Sequence, residues 1–156
     1  MITVKVKRVN KDVPLPEYSS EGDGCMDLRV ALGKETYQGR SIQVAAESIR
    51  PDEIRVFDTG LIFEIPDNHV MKIYPRSSTG IKLNLRLANS TGILDSQFRQ
   101  TCKIALHNFG DEPVLIEHLQ RVAQFEVVPS PRMQMIEVEE VSETSRGEGI
   151  GSSGVI

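Results

Sequence analysis

Cys102-Lys103-Ile104-Ala105-Leu106, followed shortly by Gly110-Asp111-Glu112-Pro113, is a strand that runs into a turn. Cys102, Ile104 and Leu106 share one face and Lys103 and Ala105 the other, because successive side chains of extended backbone point to opposite sides. The same pattern recurs outward from that stretch. Towards the N-terminus Ile2, Val4 and Val6 alternate with Thr3, Lys5 and Lys7, and towards the C-terminus Ile136 and Val138 repeat the theme. Leu61-Ile62-Phe63 and Val122-Ala123-Gln124-Phe125 are fuller apolar runs, which predict strands buried on both faces. Turn signals fall between them at Gly22-Asp23-Gly24, Pro51-Asp52 and Pro66-Asp67. No long segment has a helical period; one short helix is expected after Ser78, where Ile81, Leu83 and Leu85 mix with polar residues. Many short strands with turns between them predict an all-β single domain, a sandwich or barrel of the jelly-roll kind.

A chain of 156 residues with 39% hydrophobic and 26% charged side chains suits one soluble domain with a real core. No apolar run approaches the roughly 18 residues needed to span a bilayer, and the N-terminus alternates like a strand instead of carrying a signal peptide. The expectation is therefore an intracellular protein with no membrane partner. A net charge of −4 and a pI near 5.4 argue against a nucleic-acid-coating surface, which is normally basic. A small anionic substrate stays open if arginines and a divalent cation gather locally. Cys25 and Cys102 form no CxxC pair and are expected to be reduced and structural. His69, His107 and His118 lack metal-ligand spacing, so no dedicated zinc site is expected.

Two stretches carry chemistry. Pro75-Arg76-Ser77-Ser78-Thr79-Gly80 sets an arginine beside two hydroxyls on a loop, a grouping that suits polyphosphate oxygens. Asn89-Ser90-Thr91-Gly92-Ile93-Leu94-Asp95-Ser96-Gln97-Phe98-Arg99 places one carboxylate past an apolar run and three residues before an aromatic ring. Asp95 there is suited to deprotonating a water and Phe98 to lying against a sugar or base. Together they point to hydrolysis of a nucleotide polyphosphate. From about Ser142 the chain turns glycine- and serine-rich, a composition that cannot repay its own ordering entropy. This predicts a flexible arm, with Arg146 at its start and glycine N–H groups able to wrap an anion. At about 3.3 Å per extended residue, its last dozen residues reach roughly 40 Å.

Read in order, these clusters resemble the trimeric dUTPase family, the dUTP diphosphatases. The first motif is matched by Gly24-Cys25-Met26-Asp27-Leu28-Arg29, the second by Pro75-Arg76-Ser77-Ser78, and the third by Gly92-Ile93-Leu94-Asp95-Ser96 with Phe98-Arg99. Arg121-Val122-Ala123-Gln124 corresponds to the fourth, and Arg146-Gly147 with Gly149-Ile150-Gly151-Ser152-Ser153-Gly154 to the fifth. The resemblance implies a dUTPase-like β-clip jelly roll over residues 1–141 and an arm over 142–156 that closes on the site. It also implies a homotrimer whose three sites each draw on all three chains. Such enzymes cleave dUTP to dUMP and pyrophosphate with Mg²⁺, supplying dUMP for thymidylate synthesis and keeping uracil out of DNA. They lie in the cytoplasm, or in the nucleus of a host cell.

By matching position, Asp95 is the general base. Asn89 and a hairpin through Gly92, Ile93 and Leu94 read the uracil edge, and Phe98 lies under the deoxyribose. Arg76, Ser77, Ser78 and Gln124 hold the phosphates. Arg146, Gly149, Ile150, Gly151, Ser152 and Ser153 close over the γ end, and Asp27 positions Mg²⁺ through water. Arg121 is as well suited to an ion pair that supports the fold as to substrate contact.

The chain departs from the family pattern at several positions. Cys25 stands where the first motif usually has glycine, and Phe98 where tyrosine is usual. Gln100 replaces a glycine after Arg99, and Leu119-Gln120 replace the usual Gly-Asp before Arg121. The fifth motif is one residue short and lacks its aromatic at Ile150. That altered arm keeps open a regulatory alternative: a dUTP-binding or repressor-binding protein on the same fold with little turnover. A dCTP hydrolase or deaminase of the same fold fits less well, because the deaminase needs a differently placed glutamate.

Overall fold

The computed structural model describes residues 1–143, so the fifth motif and the expectations for Arg146, Gly149, Ile150, Gly151, Ser152 and Ser153 lie outside the described residues. Among the described residues the order is β1 (Lys5–Arg8), β2 (Met26–Arg29), β3 (Lys34–Tyr37), β4 (Arg40–Gln43), β5 (Ala46–Ile49), β6 (Ile54–Asp58) and β7 (Leu61–Glu64). Then come β8 (His69–Pro75), α1 (Ser77–Leu83), β9 (Leu85–Leu87), β10 (Gly92–Asp95), β11 (Lys103–Asn108), β12 (Val114–Glu117) and β13 (Arg121–Pro129). The ladders form a four-stranded sheet, β10-β8-β13-β2, a three-stranded sheet, β6-β11-β9, and the pairs β1-β7, β5-β12 and β3-β4. Every pairing is antiparallel. This is the all-β jelly roll that the period-two pattern implied.

The alternation places the core. Cys102, Ile104 and Leu106 are buried while Lys103 is exposed. On β8, Met71 and Ile73 face inward, and Lys72 and Tyr74 are half-buried on the other side. Phe63 of β7 meets Phe125 of β13 edge to face, 5.4 Å between centroids. Leu61 and Phe63 are buried but Ile62 only half-buried, so β7 is less enclosed than its apolar run suggested. Buried Asn108 is satisfied on both sides of its amide, donating to Ile49 and Glu112 carbonyls and accepting from the Gly110 N–H.

Three local expectations change. The short helix begins at Ser77 and takes in Gly80, so the arginine-serine stretch is an extended Arg76 leading into α1 and not an open loop. The hairpin expected from Asn89 to Leu94 is a turn feeding β10, whose ladder partner is β8. Ile136 and Val138 form no strand: they are 73% and 58% exposed in a stretch without regular structure. Alternation there marks a face to be covered, but a strand needs a neighbour, and within the described residues none lies alongside.

Candidate active site

At the Pro75 end of β8 four predicted residues converge. Asp27 on β2 and Gln124 on β13 are register partners, and Gln124 in turn faces Tyr74. Arg76, the extended residue before α1, reaches Asp27 with its Nε 2.6 Å from Oδ1. Arg121, at the start of β13, donates to the other carboxylate oxygen, Oδ2, at 3.1 Å. Gln124 donates to the Pro75 carbonyl at 3.1 Å. Arg76 also lies 3.3 Å from the Ser78 hydroxyl and 3.4 Å from the Arg121 carbonyl. Ser77 and Ser78 occupy the first turn of α1, where backbone N–H groups have no intrahelical acceptor. Two guanidinium groups thus share one carboxylate, leaving a local excess of positive charge beside hydroxyl and N–H donors. That arrangement suits phosphate oxygens.

Beside β10 lies an open depression of about 400 Å³. Asn89, Gly92, Ile93, Leu94 and Phe98 line it, as expected, together with Ile73, Gln100, Thr101 and Lys103. Gly92 packs closely: a Cβ there would sit 3.1 Å from that of Ile73, which would have to give way. The turn before it is tight, with Ser90 in the left-handed region at φ 60°. The loop after it is stapled by the Phe98 N–H donating to the Asp95 carbonyl and by Arg99 donating to Ser96 and Phe98 carbonyls. Phe98 keeps 38% of its surface exposed. Asp95 ends β10, exposed and on the same outer sheet face as Asp27, but it does not line the depression.

The structure does not bring Asp95 to the arginines. Asp95 pairs with Val70 near the start of β8, whereas Arg76 follows its end. Six residues of extended chain separate those levels, about 20 Å at roughly 3.3 Å per residue.

The departures from the expected motifs fall into two kinds. Cys25 and Gln100 do not adopt positive φ, so neither position demands a glycine. Leu119 does, at φ 64°, and holds it without glycine's freedom. Neither cysteine is an activated nucleophile: burial pushes the Cys25 thiol up, helped by the Glu126 and Asp27 charges, and pushes Cys102 up to about 12. A hydrogen bond to Glu126 likewise holds the Tyr74 phenol above its ordinary range. Among the described residues no three His, Cys, Asp or Glu side chains gather into a metal cage, and no helix is long and apolar enough to cross a membrane. Lys103 was missed because it reads as an ordinary outward residue of a strand, and Thr101 because it reads as a polar residue before that strand. Arg29 gives no local signal in the sequence, since the Leu119 carbonyl it donates to lies 90 positions away.

An all-β jelly roll with paired arginines at one end of a sheet and an open depression at its flank fits a nucleotide-handling protein of the β-clip kind. The chain belongs to the dUTPase family, the dUTP nucleotidohydrolases: residues 11–154 match the family's model. It is 38% identical over 157 residues to the deoxyuridine 5′-triphosphate nucleotidohydrolase of Caldanaerobacter subterraneus subsp. tengcongensis, covering 99% of each chain. With that of Rhizobium leguminosarum bv. trifolii it shares 37% over 142 residues, 90% of this chain and 85% of the relative. In fold it resembles the Staphylococcus bacteriophage 80alpha dUTPase solved with dUPNHPP, at TM-score 0.82 and 24% identity, over 98% of this chain and 99% of that one.

Proposed function

We propose that this chain hydrolyses dUTP to dUMP and pyrophosphate in sites shared between copies of itself. The observation that carries the shared site is the separation of Asp95 from Arg76 along β8. A general base acts on an atom within hydrogen-bond reach, directly or through one water. A gap near 20 Å cannot be closed inside one chain, so a second copy supplies the base and the depression. Three copies are the number the family resemblance implies.

Asn89 and the backbone of Gly92, Ile93 and Leu94 read the uracil edge. A tight turn of this kind is expected to leave no room for a 5-methyl, and a site built on hydrogen bonding rejects the mismatched exocyclic group of cytosine. Phe98 lies against the deoxyribose and excludes a 2′-hydroxyl. Arg76, Ser77, Ser78 and Gln124 hold the phosphates, with Arg121 beside them. Asp95 takes a proton from a water that attacks the α-phosphorus in line. The bond to the α–β bridging oxygen breaks, and pyrophosphate leaves with the electron pair. The arm over 142–156 closes the site through Arg146, Gly149, Ile150, Gly151, Ser152 and Ser153 and excludes bulk water.

Both Asp27 oxygens are already held by arginines, so Asp27 would position Mg²⁺ only through water, with most of the ion's ligands being water and substrate oxygens. When bound, Mg²⁺ neutralises phosphate charge and fixes the triphosphate's conformation. A dUTPase variant of phage phi11 of Staphylococcus aureus was solved with a coordinated structural Mg(II) ion.

The test is pyrophosphate release from dUTP, dTTP, dCTP and UTP, each with Mg²⁺ and with EDTA, alongside a complementation assay. Fast Mg²⁺-dependent release from dUTP alone is expected. Asp95→Asn and Arg76→Ala, each strongly impaired alone at subsaturating dUTP, should regain activity there when unfolded together and refolded, because about a quarter of randomly assembled two-chain sites then carry both groups intact. No release with tight dUTP binding would replace the enzyme with the regulatory binding protein. No complementation would place the site within one chain.

A further inference from the structure

We infer that Arg29 is a positioning residue for the phosphate cluster, acting through the left-handed turn that delivers Arg121. This rests on the reading of that cluster as the phosphate site. Arg29 lies on β2 two residues beyond Asp27, on the same face, and is the register partner of Arg121. Yet its guanidinium is committed elsewhere: Nη1 donates to the Leu119 carbonyl at 2.9 Å. With Asp27 and Arg121 it borders a recess of about 240 Å³ under residues 13–19.

Leu119 is where the clamp acts. It stands at φ 64°, a conformation that L side chains avoid and glycine adopts freely. A leucine persists there only if its surroundings over-determine the backbone. Its N–H donates to Val30 at 2.8 Å, and the Val30 N–H donates to Gln120 at 3.0 Å. The Gln120 side chain accepts from the Glu117 N–H, and the His118 N–H donates to Ala45. The Leu119 carbonyl completes the set through Arg29, in a charge-assisted bond stronger than the neutral ones around it.

Two residues later the same backbone supplies both halves of the cluster. The Arg121 side chain binds Asp27, and the Arg121 carbonyl is the acceptor against which Arg76 leans. A shift of the turn therefore moves two guanidinium groups at once. The ladder of β13 with β2 is irregular between Arg121 and Ala123, so the turn helps set where Arg121 sits. Arg29 does for this chain what a glycine-containing turn does by conformational freedom: it holds the turn in a left-handed bend.

The test uses the full chain and two readouts. Steady-state dUTP hydrolysis by Arg29→Gln should show KM raised roughly tenfold with kcat nearly unchanged, the signature of lost binding geometry after removal of one charge-assisted hydrogen bond. Arg29→Lys, which keeps a donor on a long stem, should recover part of that loss. In an Arg121→Ala background, Arg29→Gln should add less than about twofold, because residues acting through one another are not additive. Amide hydrogen exchange, which needs no turnover, should accelerate in residues 117–121 of Arg29→Gln and stay unchanged in β8. A wild-type protein that neither binds nor turns over dUTP defeats the functional reading, and the exchange data still decide the clamp. Unchanged exchange in both Arg29 variants overturns the inference, as does a KM effect that adds in full to that of Arg121→Ala.

Discussion

At the Pro75 end of β8 the charged groups are matched inside one chain: Asp27 stands between Arg76 and Arg121, and Gln124 holds the Pro75 carbonyl. Along β10 the corresponding groups are open. Asp95 and Asn89 are exposed, Phe98 shows more than a third of its surface, and the depression beside them faces outward. The first region is pre-organised by attraction within the fold, so little ordering is left to be done when an anion arrives. The second presents a tight turn and an exposed carboxylate, which on the proposed reading act with a second copy of the chain. On the proposed reading, one small domain carries both halves of a site and keeps them apart until copies meet.

The contrast breaks most sharply at Asp95. Asp95→Asn should lower the dUTP rate by about 10²- to 10⁴-fold, as for loss of a general base, while a non-hydrolysable dUTP analogue still binds. A variant with the wild-type rate would remove the base from β10. At the other end Arg76→Ala should act on affinity, raising KM by roughly one to two orders of magnitude, since bonds between ionised partners are worth about 1.5–3 kcal/mol. A change confined to kcat would mean that Arg76 acts only in the transition state.

Removing the carboxylate that the two arginines share probes the pre-organisation itself. Asp27→Ala should destabilise the domain by about 1–3 kcal/mol, read by urea titration, because two guanidinium groups are left facing each other. Asp95→Asn, at an exposed position, should change stability by less than about 0.5 kcal/mol. Equal effects would erase the distinction between the two regions. Gly92→Ala pushes a methyl against Ile73 and should cost about 1–3 kcal/mol by overpacking, with a further loss in discrimination against dTTP.

The smallest effect lies in the core behind the depression, at buried Cys102. The Cys102 thiol, raised by burial from 9.0 to about 12, is neutral when folded and ionises more readily when unfolded. Its contribution to stability is therefore complete below about pH 9 and falls as pH rises towards 12. Cys102→Ala should flatten that alkaline decline in thermal melts relative to wild type.

Much of this architecture was legible in the amino-acid order. Alternation at residues 102–106 is a property of neighbouring residues, and it correctly marked Cys102, Ile104 and Leu106 as core. Arg76 with two serines, and Asp95 between an apolar run and Phe98, are groupings whose chemistry can be read without coordinates. Other features depend on contacts between distant residues. The exposed alternation at Ile136 and Val138 looked the same as that of a paired strand, because a residue pattern records a face and not its neighbour.

By itself, the sequence determined an all-β chain, the residue types suited to phosphate and base, and membership of the dUTPase family. The tertiary structure alone decided that Asp95 and Arg76 stand at opposite ends of one strand. It alone decided that Asp27 is held by two arginines, and that Arg29 reaches a left-handed leucine 90 positions away. The physical reason is range. Side-chain period and composition act over a few residues, whereas strand register sets which distant groups come within the 3 Å or so at which a hydrogen bond has strength.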